Sequence, residues 1–437
     1  MSAHARPMKL RQRGAGLIET MVGILIGILV VLVIYNMLAV AEGYKRMTQG
    51  YADAQITGLI SQFVAGQDAS NGGNGITSAF PDLMTCTKDE AGVAYTVDNT
   101  LKPFSVLVTK GATANDPDSF VSRQSASPHV VWSVDMRPLG GVGGPVVVAP
   151  GGNIQVQSPN GFMTPAKASI PTAANPFWAV AIANDGTGRC TLIQITNAAP
   201  DAAMDTTGEV ALTQGAPATT INYTAVAQNA NGTPSLVLNL GPVGNAARIR
   251  YDIDTVNNQL RTTDCLSMAA ACAGVPNPIA QNVVWMKVQY GIDTSPALAN
   301  GTLDATVDCW TPADDSVCPV GGLGWDPATL IKAGEAGGPT ADALNRIVAV
   351  RIGLVVRSDE PDLKDPALYT SPAMTVDGTT GTRPAMYLFN CAANTNAACQ
   401  SRVQIPAPAV LADGWRYRTY EAVIPLRNSI FNATLPP

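Results

Sequence analysis

The sequence predicts an α+β protein: one long N-terminal helix followed by a large, mainly antiparallel β head with disulfide-stapled loops. Three observations predict it. Residues 15–41 carry one charge, Glu19, and no proline. From about residue 76, short runs rich in Val, Ile, Thr and Tyr alternate with Gly, Pro, Asn and Asp breaks. All eight cysteines follow the apolar segment.

The elements follow in chain order. Residues 1–14 form a basic leader carrying Arg6, Lys9, Arg11 and Arg13 and no acid. The core of the next segment reads LIETMVGILIGILVVLVI from Leu17 to Ile34. Its length suits a membrane crossing, which takes about 20 residues at about 1.5 Å each. The crossing is expected at about residues 16–36, within a helix spanning 15–66. Basic residues on the leader side orient the N-terminus toward the cytoplasm and the rest outside it. A cleaved secretory signal and a plain signal anchor are the alternatives; the apolar run is too long for the first and no A-x-A site follows it, and the second leaves Glu19 unexplained. Gly23 and Gly27 form a G-x-x-x-G that permits close helix packing.

Tyr35–Val64 stays compatible with a helix. Ile56, Leu59, Ile60 and Phe63 recur at helical spacing, an apolar stripe expected to pack on the head. Gly43, Gly50 and Gly58 weaken this half, and Gly66 with the run Gly72–Gly75 ends it.

Residues 67–437 are expected to form the head, with an elaborated region at about 76–245 and a distinct C-terminal region at about 246–437. Its clearest strand is Ile347–Arg357. There Val348, Val350, Ile352, Leu354 and Val356 share one face while Arg351 and Arg357 take the other, the pattern of a half-buried strand. Asp326-Pro327 is a candidate start of a short helix.

Composition and motifs narrow the function. Charged residues make up 14% and the net charge is −6, which argues against charge-rich disorder and against a duplex nucleic-acid partner. The chain has two histidines, His4 and His129, too few for histidine metal sites and unsuited to a Ser-His-Asp triad. No phosphate-loop, H-E-x-x-H or G-x-S-x-G motif occurs, and Gly140–Pro145 lacks the lysine of a phosphate loop. No enzyme activity and no cofactor are expected. Asp252 and Asp254 with Asn257 and Asn258, and Asp293 with Asn300 and Asp304, hint at calcium ligands but miss the twelve-residue register. They read as solvated turn acids.

The cysteines are Cys86, Cys190, Cys265, Cys272, Cys309, Cys318, Cys391 and Cys399. An even number in an exported head suggests disulfides, and no C-x-x-C pair favours zinc. Eight cysteines allow 105 pairings. Local spacing suggests Cys265–Cys272, Cys309–Cys318 and Cys391–Cys399, which leaves Cys86 for Cys190.

The string RQRGAGLIETMVGILIGILVVLVIYN resembles the N-terminal signal of type IV prepilins. The resemblance implies cleavage after Gly14, methylation of the new N-terminal Ala15, and an assembly role for Glu19, five residues past the glycine. It departs from the family in having Ala15 where Phe is usual and Gly16 where Thr or Ser is usual. VVWMKVQYGIDT, NRIVAVRIGLVVRS and WRYRTYEAVIPLRN resemble the C-terminal part of PilW-type minor pilins. That resemblance implies a structural subunit that primes type IV pilus assembly at or near the tip. Its partners would be other minor and major pilins and the prepilin peptidase. The subunit would sit in the bacterial inner membrane, head in the periplasm, and then in the pilus. A type II secretion pseudopilin and a tip-displayed or membrane-anchored adhesin are the alternatives.

Overall fold

In the computed structural model, the described residues are 16–76, 80–97, 99–113, 115–125, 133–137, 146–159, 161–164, 168–200, 210–215, 221–223, 234–243, 246–266, 272, 274–295, 303–312, 318, 325–333, 335, 342–359, 387–389, 403–405 and 417–427. A 55-residue helix, α1 (Leu17–Asn71), leads into a short α2 (Phe80–Met84). The strands β1 (Val106–Thr109), β2 (Ser119–Ser125), β3 (Ser133–Arg137), β4 (Val146–Val148), β5 (Asn153–Val156), β6 (Phe177–Ile182) and β7 (Cys190–Pro200) follow. Next come β8 (Val210–Gln214), β9 (Ile221–Tyr223), β10 (Leu236–Pro242), β11 (Ala246–Asp254), β12 (Gln259–Asp264), β13 (Asn277–Gln281) and β14 (Val283–Ile292). The chain closes with β15 (Cys309–Pro312), α3 (Pro327–Leu330), α4 (Asp342–Asn345), β16 (Ile347–Arg357), β17 (Tyr387–Leu388), β18 (Val403–Gln404) and β19 (Tyr417–Pro425).

Two antiparallel sheets carry the helix. One has the order β1-β2-β11-β12-β13, the other β15-β14-β16-β19. Between β2 and β11 in sequence lies a closed barrel, β10-β3-β5-β8-β7-β6, with the small pair β4-β9 beside it. The region expected as one elaboration, 76–245, therefore divides. Its strands β1 and β2 complete the sheet of the C-terminal region, and only the chain between Ser125 and Ala246 builds the barrel.

Three apolar layers follow this division. The first joins α1 to both sheets through Ala54, Ala65, Tyr251, Met286, Ile352 and Tyr420. The second fills the barrel with Met136, Ile154, Val156, Ile193, Leu212 and Val237. The third seats the outside of the barrel, Trp178, Leu192 and Leu238, on Leu83 and Leu101.

Strand β16 differs from its expected half-exposure. Every residue from Ile347 to Val356 is buried. One face packs in the layer that includes α1, while Val355 on the other packs with Leu388 and Phe389. Arg351 survives burial because its guanidinium lies 4.8 Å from the Trp310 ring centre and 4.3 Å from that of Phe389. Its Nε donates to Gln289 Oε1 at 2.7 Å. In β14, Lys287 is buried with Asp118, its Nζ 2.7 Å from Oδ1. The backbone amides of Gly111 and Val288 also donate to that carboxylate, which satisfies the charge that burial isolates. Asp326 caps α3 as its Asp-Pro start suggests, accepting from Thr329 N at 2.9 Å.

Disulfides join Cys86 to Cys190, Cys265 to Cys272 and Cys309 to Cys318, with Cα separations of 5.4, 4.2 and 5.8 Å. Cys391 and Cys399 lie outside the described residues, as do His129, Asn300 and Gly140–Pro145.

Candidate assembly face on the N-terminal helix

Helix α1 ends five residues beyond the expected Gly66, at Asn71. Gly66 does not break it because it rests on the head, with Ile424 Cδ1 3.7 Å from where a Cβ would lie. The chain turns only at Gly72–Gly75, where Gly73 and Gly75 adopt φ of 82° and 69°, a region that favours glycine.

The head half of α1 packs through small residues. Gly50, Ala54, Gly58, Ser61, Ala65 and Ala69 recur every three or four positions and are all buried. At Gly58 the backbone lies against the ring of Tyr420, whose hydroxyl donates to Ala54 O at 3.1 Å. Arg418 stacks on Tyr51 at 4.6 Å. Near the helix end, Asp68 receives the Tyr251 hydroxyl at 2.5 Å and its carbonyl accepts from Ser122. Burial, together with the Asp68 carboxylate, pushes the Tyr251 phenol well above its ordinary pKa, so it stays a donor.

The large apolar residues point the other way. Ile56, Leu59, Ile60 and Phe63 are 50–69% exposed. This reverses the expectation that they pack on the head. Close approach to two twisted sheets selects the small side of the helix and leaves the bulky side free. A groove of about 350 Å³ runs beside it, lined in part by Asp53, Ile56, Ile60, Ile279 and Arg357.

The free face continues into the apolar half. Gly23 to Leu59 and Gly27 to Phe63 are each 36 residues, about ten turns of an α-helix, so the two glycines stand on the same side as the bulky stripe. A Cβ on either glycine would meet nothing within 4 Å. Glu19 is exposed in the first helical turn, where the helix dipole favours a negative charge, and its amide donates to Gly16 O at 2.8 Å. Gly14 and Ala15 lie outside the described residues. The helix has an apolar stretch, none of it buried, that is long and apolar enough to cross a membrane.

The structure separates these helix residues from the six described cysteines, which staple the head. The acids singled out in the sequence are not all solvated turn residues as expected: Asp252 and Asp254 end strand β11, and Asp293 is buried just past β14. Asp252 pairs with Arg261, its Oδ1 2.6 Å from Nε, and Asp254 accepts from the amides of Val256 and Asn257. Asp293 is buried and accepts from the amides of Ser295 and Ala305 at 3.0 and 2.9 Å. Burial pushes its carboxyl above the ordinary value, and Asp304 and Asp308 add to the effect. Among the described residues no three His, Cys, Asp or Glu side chains are grouped to hold a metal. The small-residue stripe escaped the sequence reading, although its spacing of four, four, three, four and four was visible there.

Comparison with curated proteins and with solved structures gives no significant match. Residues 250–428, from β11 through the end of β19, match the family model described as type IV pilus-assembly protein W, a match to part of the chain that supports a type IV pilus-related protein.

Proposed function

We propose that the chain is a minor pilin of the PilW type, a non-enzymatic subunit that primes type IV pilus assembly at or near the tip. It is cut after Gly14, methylated on Ala15, and held in the inner membrane by α1 with its head in the periplasm. On assembly α1 leaves the bilayer and joins the helices of other pilins. Glu19 then pairs with the new α-amino group of Ala15, on the same or a neighbouring subunit.

The observation that carries this reading is the free stripe Ile56, Leu59, Ile60 and Phe63. A simple membrane anchor needs apolar surface only across the bilayer, about 20 residues. Here bulky apolar side chains continue on the half of α1 that the head already grips, on the side the head leaves bare. Exposed apolar surface of that extent marks an interaction face. Helices of other pilins would cover both halves with one continuous surface.

The test is a strain lacking this subunit with pilus retraction also disabled. Surface pili are counted by electron microscopy and in sheared fractions. Few or no pili are expected. Normal piliation would remove the priming role.

A further inference from the structure

We propose that the barrel between Ser125 and Ala246 is a passenger module inserted into an assembly platform, so that assembly does not depend on it. The inference rests on the pilin reading above, which assigns assembly to α1 and the two sheets that hold it.

The insertion point is the first argument. Ser125 and Ala246 are direct partners in the β2–β11 ladder. Antiparallel partners lie about 4.5–5.5 Å apart, so a two-residue turn could connect them. The platform sheet is continuous across this point and draws no strand from the insertion. A folded unit that enters and leaves at adjacent points disturbs its host little.

The second argument is closure. The six barrel strands pair into a ring, which leaves no open edge, and its interior forms a core of its own. None of those interior residues belongs to the core that joins α1 to the platform.

The third is position. Gly73 N donates to Arg123 O at 2.6 Å and Ser125 N to Asn74 O at 2.8 Å, so the root of the insertion sits at the C-terminal end of α1. This is the end farthest from Glu19 and the apolar half. The barrel is held there by the apolar layer around Leu83 and Leu101 and by Cys86–Cys190. The assembly face Ile56–Phe63 lies on the helix itself. Assembly and the barrel thus use different surfaces of the chain.

The experiment uses the full chain in the retraction-disabled strain. In one variant residues 126–245 are replaced by Asn-Gly. Because this uncovers Leu83 and Leu101, a second variant, Ile154→Asp, keeps the whole chain and places a charge inside the barrel. Membrane levels, pilus number and hydrogen exchange of the purified Ile154→Asp protein are measured. Wild-type numbers of pili are expected from both variants, with exchange protection lost in the barrel strands and kept in β14 and β16. Two results would overturn the proposal: few pili from variants present at wild-type membrane levels, or loss of Ile154→Asp from the membrane or of protection in β14 and β16. If deleting the whole subunit leaves piliation normal, the pilin reading fails instead, and the exchange pattern still decides whether the barrel is a separate unit.

Discussion

Gly58 has no room for a side chain. A Cβ there would overlap the Tyr420 ring. In an exposed helix, glycine costs about 1 kcal/mol relative to alanine. Here that cost allows the ring to lie on the helix and its hydroxyl to reach Ala54 O. Gly58→Ala recovers the propensity but forces the ring aside, and overpacking costs about 1–3 kcal/mol. The expected net loss is about 1 kcal/mol, read as a lower Tm of the purified protein. A higher Tm would show that Tyr420 moves freely. Asp293 gives a pH signature. An acid whose folded-state pKa is raised favours folding most while protonated, and that contribution falls as pH climbs past the ordinary 3.8 toward the raised value. Asn at this position does not titrate. The stability of wild type relative to Asp293→Asn should therefore be greatest below pH 3.8 and shrink as pH rises past it. Denaturant titrations across this range check it; an advantage that grows with pH would contradict the assignment. Arg351 marks the limit of reading single residues. Its alternation within β16 is plain in the sequence, but the Trp310 and Phe389 rings that bury it come from segments 41 residues before and 38 after it.

Helix α1 was legible as an element but not in its orientation. Its apolar first half, its start near Leu17 and its length beyond one membrane crossing follow from composition. The side facing the head does not. Amphipathic reasoning assigns bulky apolar residues to the core, yet at this contact the available gap admits only Gly, Ala and Ser. Two stripes compete on one helix, and the sheets decide between them. The strands show the same division. β14 and β16 were visible as runs of Val, Ile and Trp, whereas β5, β8 and β13, short and rich in Gln, Thr or Asn, were not. The orientation of α1 yields a direct prediction. Ile60→Asp with Phe63→Asp alters surface positions, which usually changes stability by no more than about 0.5 kcal/mol each. The mature variant should accumulate in the membrane with an unchanged Tm. It should be absent from sheared pili, because two charges on the stripe oppose burial against another helix. Normal incorporation would show that this face stays exposed in the filament.

At the scale of the whole chain, connectivity and sequence order part company. The family match begins inside β11, yet two strands of the same sheet come from residues 106–125, across an intervening barrel. Pairing between Ser125 and Ala246 leaves no local signal, since each strand looks alike whether its partner is near or more than a hundred residues away. The disulfides span the same range of scales, and this makes their contributions separable. Cys86 and Cys190 are 104 residues apart and tie the barrel to the segment that follows α1. Cys265 and Cys272 are seven apart and close one loop. If constraint of the unfolded chain dominates, loop-closure entropy gives about 4.7 kcal/mol for the long link and about 2.5 kcal/mol for the short one. Both Cys86 and Cys190 are fully buried, so alanine at each leaves only a small void. Cys86→Ala with Cys190→Ala should therefore destabilise the protein by about 2 kcal/mol more than Cys265→Ala with Cys272→Ala. It should also raise exchange first in β6, β7 and β10, the strands resting on Leu83 and Leu101. Denaturant unfolding and hydrogen exchange of the two double variants provide the comparison. Equal losses would mean that the long link acts through native packing rather than chain entropy. Loss of protection spread evenly over the barrel and the platform would mean that the disulfide holds the whole head together, not the seat of one module.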